Sequence, residues 1–174
     1  MNTSLPALAF AGIGLMGLPM CRRLLAAGYP LTLWNRNADK CLPLLQDGCQ
    51  RVQTPAELCR DAELVLLCLA DTAAVREVVF GEGGIVEGAR PGQLLIDFSS
   101  LEPAATREMA AELLARTGMH WLDAPVSGGE VGAKAASLTI MVGGTQSAFD
   151  TVKPLFDKMG KNVTLIGGNG DGQT

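Results

Sequence analysis

The 174-residue chain is 48% hydrophobic and 18% charged, enough apolar material for one buried core, which excludes a disordered segment and makes a single globular domain the expectation. With 14 basic and 18 acidic side chains the net charge is −4, and no run of Lys and Arg stands out, so nucleic acid is not an expected partner. The longest unbroken apolar run, 64–70, is too short for a bilayer, and the apolar first 20 residues lack a basic start and carry three glycines, so a cytoplasmic protein with no membrane association is expected.

The apolar run 7–11 reads as a strand, and Gly12-Ile13-Gly14-Leu15-Met16-Gly17 follows it as a glycine turn. Pro19 fits a first helical turn, Leu18, Cys21, Leu24 and Leu25 recur at helical spacing, and Gly28 is a natural stop. Residues 31–34 then supply a second strand. In such a strand–turn–helix unit the first glycine permits the tight turn, the second lets backbone approach a diphosphate, and the third lets helix pack on strand. Helix-start amides and the positive dipole end face the anion. A dinucleotide site follows, against the alternative of a structural turn that binds nothing.

The second strand ends in Asn35-Arg36-Asn37. An NAD site usually carries Asp or Glu about twenty residues past the glycines, to accept from the ribose 2′-hydroxyl. Neutral Asn35 stands there instead, and Arg36 beside it offers a charged donor fork suited to a 2′-phosphate. NADP is therefore expected rather than NAD. The bland alternative is a solvated arginine beside an asparagine turn former.

Strand-like runs at 64–69, 93–96, 119–122, 138–142 and 162–166 alternate with helical segments at 39–45, 55–60, 73–79, 103–116 and 146–159, where Pro154 should kink or split the last. The pattern is that of an α/β, Rossmann-type, doubly wound and mostly parallel sheet. Short connections at 127–137 and at Gly143-Gly144 leave room for antiparallel edge strands near the C-terminus. Ligands in such sheets lie beyond the carboxyl ends of the strands. Leu69 and Ala70, with Ala74 in the following helix, and Ser99 and Ser100 should border the cofactor, unless Asp71, Thr72 or Ser100 serve only as helix caps. Ser127-Gly128-Gly129 offers a hydroxyl and exposed amides to a small carboxylate or hydroxyl substrate, or is an ordinary turn.

Cys21, Cys41, Cys49, Cys59 and Cys68 form no C-x-x-C pair and read as reduced packing thiols. His120, the only histidine, leaves no basis for a zinc site or a histidine-activated nucleophile, and is expected to pack beside Trp121 at a strand end. Ser127 is accordingly a binder and not a nucleophile. Lys134 reads as a solvated helix residue.

Phe10 to Gly17, the loop Asp97-Phe98-Ser99-Ser100 with Pro103, the run Asp123 to Gly129, Met141-Val142-Gly143-Gly144 and Gly170-Asp171-Gly172-Gln173-Thr174 together resemble the β-hydroxyacid dehydrogenase family, which includes 3-hydroxyisobutyrate dehydrogenase and tartronate semialdehyde reductase. The motifs span essentially the whole chain in the family's order. The resemblance implies an NADP-binding Rossmann domain over 1–166, with Gly12 to Gly17, Asn35, Arg36, Leu69 and Ala70 on the cofactor, Ser100 near its nicotinamide end, and Ser127, Gly128 and Gly129 on a small acid or its semialdehyde.

The family's catalytic lysine would fall two residues past Thr174, so no catalytic residue is assigned within the chain, and neither Lys134 nor Lys161 is promoted to the role. Residues 167–174 would begin the interdomain segment. A helical second domain would follow, and its absence should leave apolar surface exposed and the chain prone to self-association, where the whole enzyme would be a homo-oligomer. Alternatives are a non-catalytic NADP-binding module or half of a 6-phosphogluconate dehydrogenase-like enzyme.

Overall fold

The computed structural model describes residues 4–174, and among them a nine-stranded sheet organises the molecule. β1 (Leu8–Ala11) passes through the glycine turn into α1 (Gly17–Ala26), followed by β2 (Leu31–Trp34), α2 (Leu42–Gln46) and β3 (Gln50–Arg51). Then come β4 (Leu64–Leu67), α3 (Thr72–Phe80), α4 (Ile85–Gly88), β5 (Leu94–Asp97), α5 (Pro103–Thr117) and β6 (His120–Asp123). These strands are parallel in the order β3-β2-β1-β4-β5-β6, the order of a doubly wound dinucleotide fold.

The chain continues through β7 (Val126–Ser127), α6 (Gly129–Ala135), β8 (Leu138–Gly143), α7 (Gln146–Phe156) and β9 (Gly160–Gly167). β8 runs antiparallel to β6 and β7, and β9 lies parallel to β8, so the expected antiparallel pairing near the C-terminus forms.

Alternation along each strand assigns side chains to two cores. Leu8, Phe10, Leu66 and Ile96 share one cluster with Met20 and Leu24 of α1 and Phe156 of α7. Ala9, Ala11, Val65 and Leu95 share the other with Val75 of α3 and Leu113 of α5. Because both faces are covered, these strands read as continuous apolar runs. Each fully buried large side chain contributes about 1.5–3 kcal/mol of transfer free energy.

Several local expectations are corrected. Segment 39–45 divides into a 3-10 turn, Ala38–Cys41, and α2, because Pro43 is suited to a first helical turn and restarts the helix there. Pro55–Cys59 is a 3-10 turn and not an α-helix. α7 runs through Pro154 unbroken, because the proline lies in the last turn and the apolar face of Phe149, Val152, Leu155 and Phe156 is buried. His120 is exposed at the start of β6 instead of packing beside buried Trp121, since the first residue of a strand lies at the sheet's rim.

α6 contains Lys134, the one residue of this segment that the sequence assigns to a helix; Gly129 and Gly132 lower its propensity, and it is held by packing on α1, where the Arg23 guanidinium donates to Lys134 O at 2.7 Å from Nε. β3, α4 and β7 are too short for a periodic signal. All five cysteines are free, four of them buried, and burial raises every thiol, Cys68 to about 12.

Candidate functional site

The glycine turn leaves the carboxyl end of β1, between β2 and β4. Gly12 has φ +101, and a Cβ there would lie 2.1 Å from Cys68 O, so the first glycine permits both the turn and the close approach of β4. A Cβ on Gly17 would lie 1.9 Å from Gly12 O, so the third glycine seats α1 against the strand. Gly14 differs: its Cβ would meet nothing within 4 Å. The amides of Gly14, Leu15 and Met16 donate to no described residue, and Leu18 N already donates to Gly14 O at 3.0 Å, opening the helical turn. Free amides, an open face and a helix start suit a diphosphate.

Asn35 braces this turn. Its Oδ1 accepts from Ile13 N at 2.9 Å and its Nδ2 donates to Asn37 O at 2.8 Å. Asn37 Oδ1 accepts from Asp39 N at 3.1 Å, capping the 3-10 turn. Arg36 between them is exposed and has no hydrogen-bond or ion-pair partner among the described residues. A cavity of about 670 Å³ adjoins the loop, lined in part by Ile13, Gly14, Leu15, Arg22 and Lys40. Lys40 was not singled out from the sequence; its spacing from Arg36, four residues on in a short helical turn, was the available signal.

Loops after β4 and β5 are tied together. Ser99 Oγ accepts from Leu69 N at 2.8 Å, and Ser99 N donates to Asp97 Oδ1 at 2.9 Å. Ser99, buried, is thus a structural link, while Ser100 is exposed and makes no hydrogen bond within the described residues. Ser100 caps no helix, since Glu102 stands at the start of α5. Asp71 Oδ1 does cap α3, accepting from Ala74 N at 2.8 Å, so the capping alternative holds there and that Ala74 amide is already engaged. Ala70 is exposed and Leu69 half-buried beside Gly12.

Two buried carboxyls, to which the sequence alone gives no role, close β5 and β6. Asp97 and Asp123 are register partners. Burial pushes Asp97 up to about 7, aided by the charge of Asp123 and opposed by hydrogen bonds with Ser99. Its Oδ2 has no hydrogen-bond partner among the described residues. Burial also raises Asp123, against amides of Gly170 and Gly172 and the Asn169 side chain, which favour the ionised form. An acid ending an apolar strand was the signal for both. Ser127, Gly128 and Gly129 are exposed at the head of α6, with both glycines at positive φ (+128 and +63), so Ser127 is presented by a turn that glycine favours. Lys134 pairs with Glu130 at 2.7 Å on the exposed face of α6.

Among the described residues no group of three or more His, Cys, Asp or Glu could hold a metal ion, and no helix is long and apolar enough to cross a membrane.

A doubly wound sheet with an open glycine turn at its switch point is the architecture of a dinucleotide-binding domain. Residues 7–167 match the family model of the NAD binding domain of 6-phosphogluconate dehydrogenase, and the chain belongs to that family. It is 43% identical over 169 residues to 2-hydroxy-3-oxopropionate reductase of Escherichia coli (strain K12), covering 96% of this chain and 56% of that protein. Mycobacterium tuberculosis 3-hydroxyisobutyrate dehydrogenase with L-serine superposes with a TM-score of 0.90 at 32% identity, over 97% of this chain and 57% of that one. Psf3 in complex with NADP+ and 2-OPP does so at 0.91 and 30%, over 96% and 59%. The chain is thus an NAD(P)-binding domain, similar in sequence and fold to the corresponding parts of 2-hydroxy-3-oxopropionate reductase and 3-hydroxyisobutyrate dehydrogenase. It spans little more than half the length of these relatives.

Proposed function

We propose that the chain binds NADP(H) in preference to NAD(H), as the cofactor-binding part of an enzyme that moves hydride between NADP(H) and a small β-hydroxy acid or its semialdehyde. The observation that carries the cofactor reading is the open face of Gly14 between two glycines locked into the fold. Within Gly12 to Gly17, the free amides of Gly14, Leu15 and Met16 hold the diphosphate. Arg36 takes the 2′-phosphate, with Lys40 as a second cation on the adjoining cavity, while Asn35 and Asn37 brace the loop and present no carboxylate to repel it. Leu69, Ala70 and Ala74 flank the adenosine side, and Ser100 offers its free hydroxyl at the nicotinamide end.

NADPH, when bound, supplies the hydride. Ser127 Oγ and the amides of Gly128 and Gly129 hold the substrate's carboxylate or hydroxyl. The proton that accompanies the hydride needs an acid/base group beside the substrate oxygen, and a lysine past Thr174 fills that role. The whole enzyme is a cytoplasmic homo-oligomer.

Fluorescence titration tests the reading. NADPH should bind more tightly than NADH, and Arg36→Ala should remove most of that preference, on the order of 1–3 kcal/mol for a charge-assisted contact. Equal affinities in the parent chain would refute the role of Arg36. Oxidation of a panel of small hydroxy acids by the whole gene product, compared with 6-phosphogluconate, separates the substrate classes.

A further inference from the structure

We infer that Asp123 is a positioning residue for the cofactor site, acting through the turn at 168–173 on the loop that follows β5; this rests on the dinucleotide reading above. Asp123 is fully buried and commits both carboxylate oxygens to one segment. Oδ1 accepts from Gly170 N at 2.9 Å and from Asn169 Nδ2 at 3.5 Å, and Oδ2 accepts from Gly172 N at 3.0 Å. Hydrogen bonds to an ionised acceptor are roughly twice as strong as neutral ones.

The dock is close. A Cβ on Gly143 would lie 2.4 Å from Asp123 Oδ2, and one on Gly172 would lie 2.6 Å from Met141 O, so the turn meets the end of β8 backbone to backbone. Asn169 Nδ2 also donates to Trp121 O at 2.7 Å. The Arg107–Asp171 pair, at 3.5 Å and about half exposed, adds little.

The turn so held carries Gln173. Its Nε2 donates to Ser99 O at 2.8 Å and its Oε1 accepts from Leu101 N at 2.9 Å. Ser100, which makes no hydrogen bond among the described residues, lies between these two contacts, and Ser99 Oγ continues the chain to Leu69 N. Asp123 touches none of the proposed cofactor contacts, yet the path from it through Gly170, Gly172 and Gln173 sets where Ser100 stands.

Hydrogen exchange on this chain, with NADPH and adenosine 2′,5′-bisphosphate as binding probes, tests the path. Asp123→Asn replaces one acceptor oxygen with a donor facing a donor. It is expected to speed exchange at Gly170, Gly172 and Leu101 about tenfold or more. NADPH should weaken about tenfold, while the bisphosphate, which reaches only the Arg36 end, keeps its affinity. Gln173→Ala cuts the last link alone: Leu101 exchange rises and NADPH weakens, but Gly170 and Gly172 stay protected.

Unchanged Leu101 exchange in Gln173→Ala, or equal weakening of both probes, overturns the proposal. Should Asp123→Asn unfold, Gln173→Ala decides for the Gln173 link and Asp123→Glu, read at Gly170 and Gly172, decides for the clamp. A parent chain that binds neither probe defeats the dinucleotide reading and the cofactor role with it, and the exchange pattern then reports separately on the hydrogen-bonded path.

Discussion

A Cβ at Gly14 meets open space, whereas one at Gly17 lies 1.9 Å from a carbonyl oxygen. The two positions separate binding from folding. Gly14→Val should abolish binding of both dinucleotides and leave the melting temperature nearly unchanged; Gly17→Ala should cost about 1–3 kcal/mol or more by overpacking. Thermal melts and cofactor titration of the pair check this, and a folded Gly14→Val that still binds NADPH would refute the diphosphate seat. Asp97 sets a pH dependence. It titrates at about 7 when folded, chiefly through burial, against about 3.9 when unfolded. The folded chain therefore holds a proton that the unfolded chain has released, and the stability this group contributes is present below about pH 4 and lost as pH rises through about 7. Urea melts between about pH 5 and pH 8 should show that decline, and Asp97→Asn should flatten it.

Elements meet through a line of aromatic rings. Phe10 of β1 stacks on Phe98 after β5 at 6.5 Å, Phe98 meets Phe156 of α7 edge-on at 6.0 Å, and Phe156 contacts Phe149 at 6.3 Å. This ties the first strand to a helix from the far end of the chain, so the antiparallel addition of β8 and β9 belongs to the same core as the glycine turn. Phe10→Ala should lower stability by about 3–5 kcal/mol in urea denaturation, the cost of a large unrelaxed cavity. Where Thr145 Oγ1 accepts from Ala148 N at 3.2 Å and caps α7, Thr145→Ala should cost about 1 kcal/mol.

At the scale of the whole molecule, apolar side chains remain in solvent: Leu15 is 77% and Val131 79% exposed, Leu15 lining the cavity beside the glycine turn and Val131 following its rim residue Glu130. Sedimentation velocity should show this chain associating as concentration rises, and Val131→Asp should suppress it; a monomer at all concentrations would refute the association. The parallel strands, the glycine turn and the dinucleotide were legible in the chain because each rests on contiguous residues: an apolar run, a glycine spacing and a helical repeat are local patterns with local physical causes. The proposal for Arg36 draws on the same kind of local signal, its place at the end of the second strand. In the sequence Asn35 is only a missing carboxylate, and its contact with Ile13, 22 residues away, makes it a brace for the loop. Asp97, Asp123 and Gln173 gained roles only when folding brought segments 47 to 74 residues apart within hydrogen-bond distance and removed water from the carboxyls. Sequence by itself determined the type of sheet and the kind of ligand. Tertiary structure decided which polar groups are free to bind it and which are already committed, because that depends on burial and on partners the chain supplies from far away.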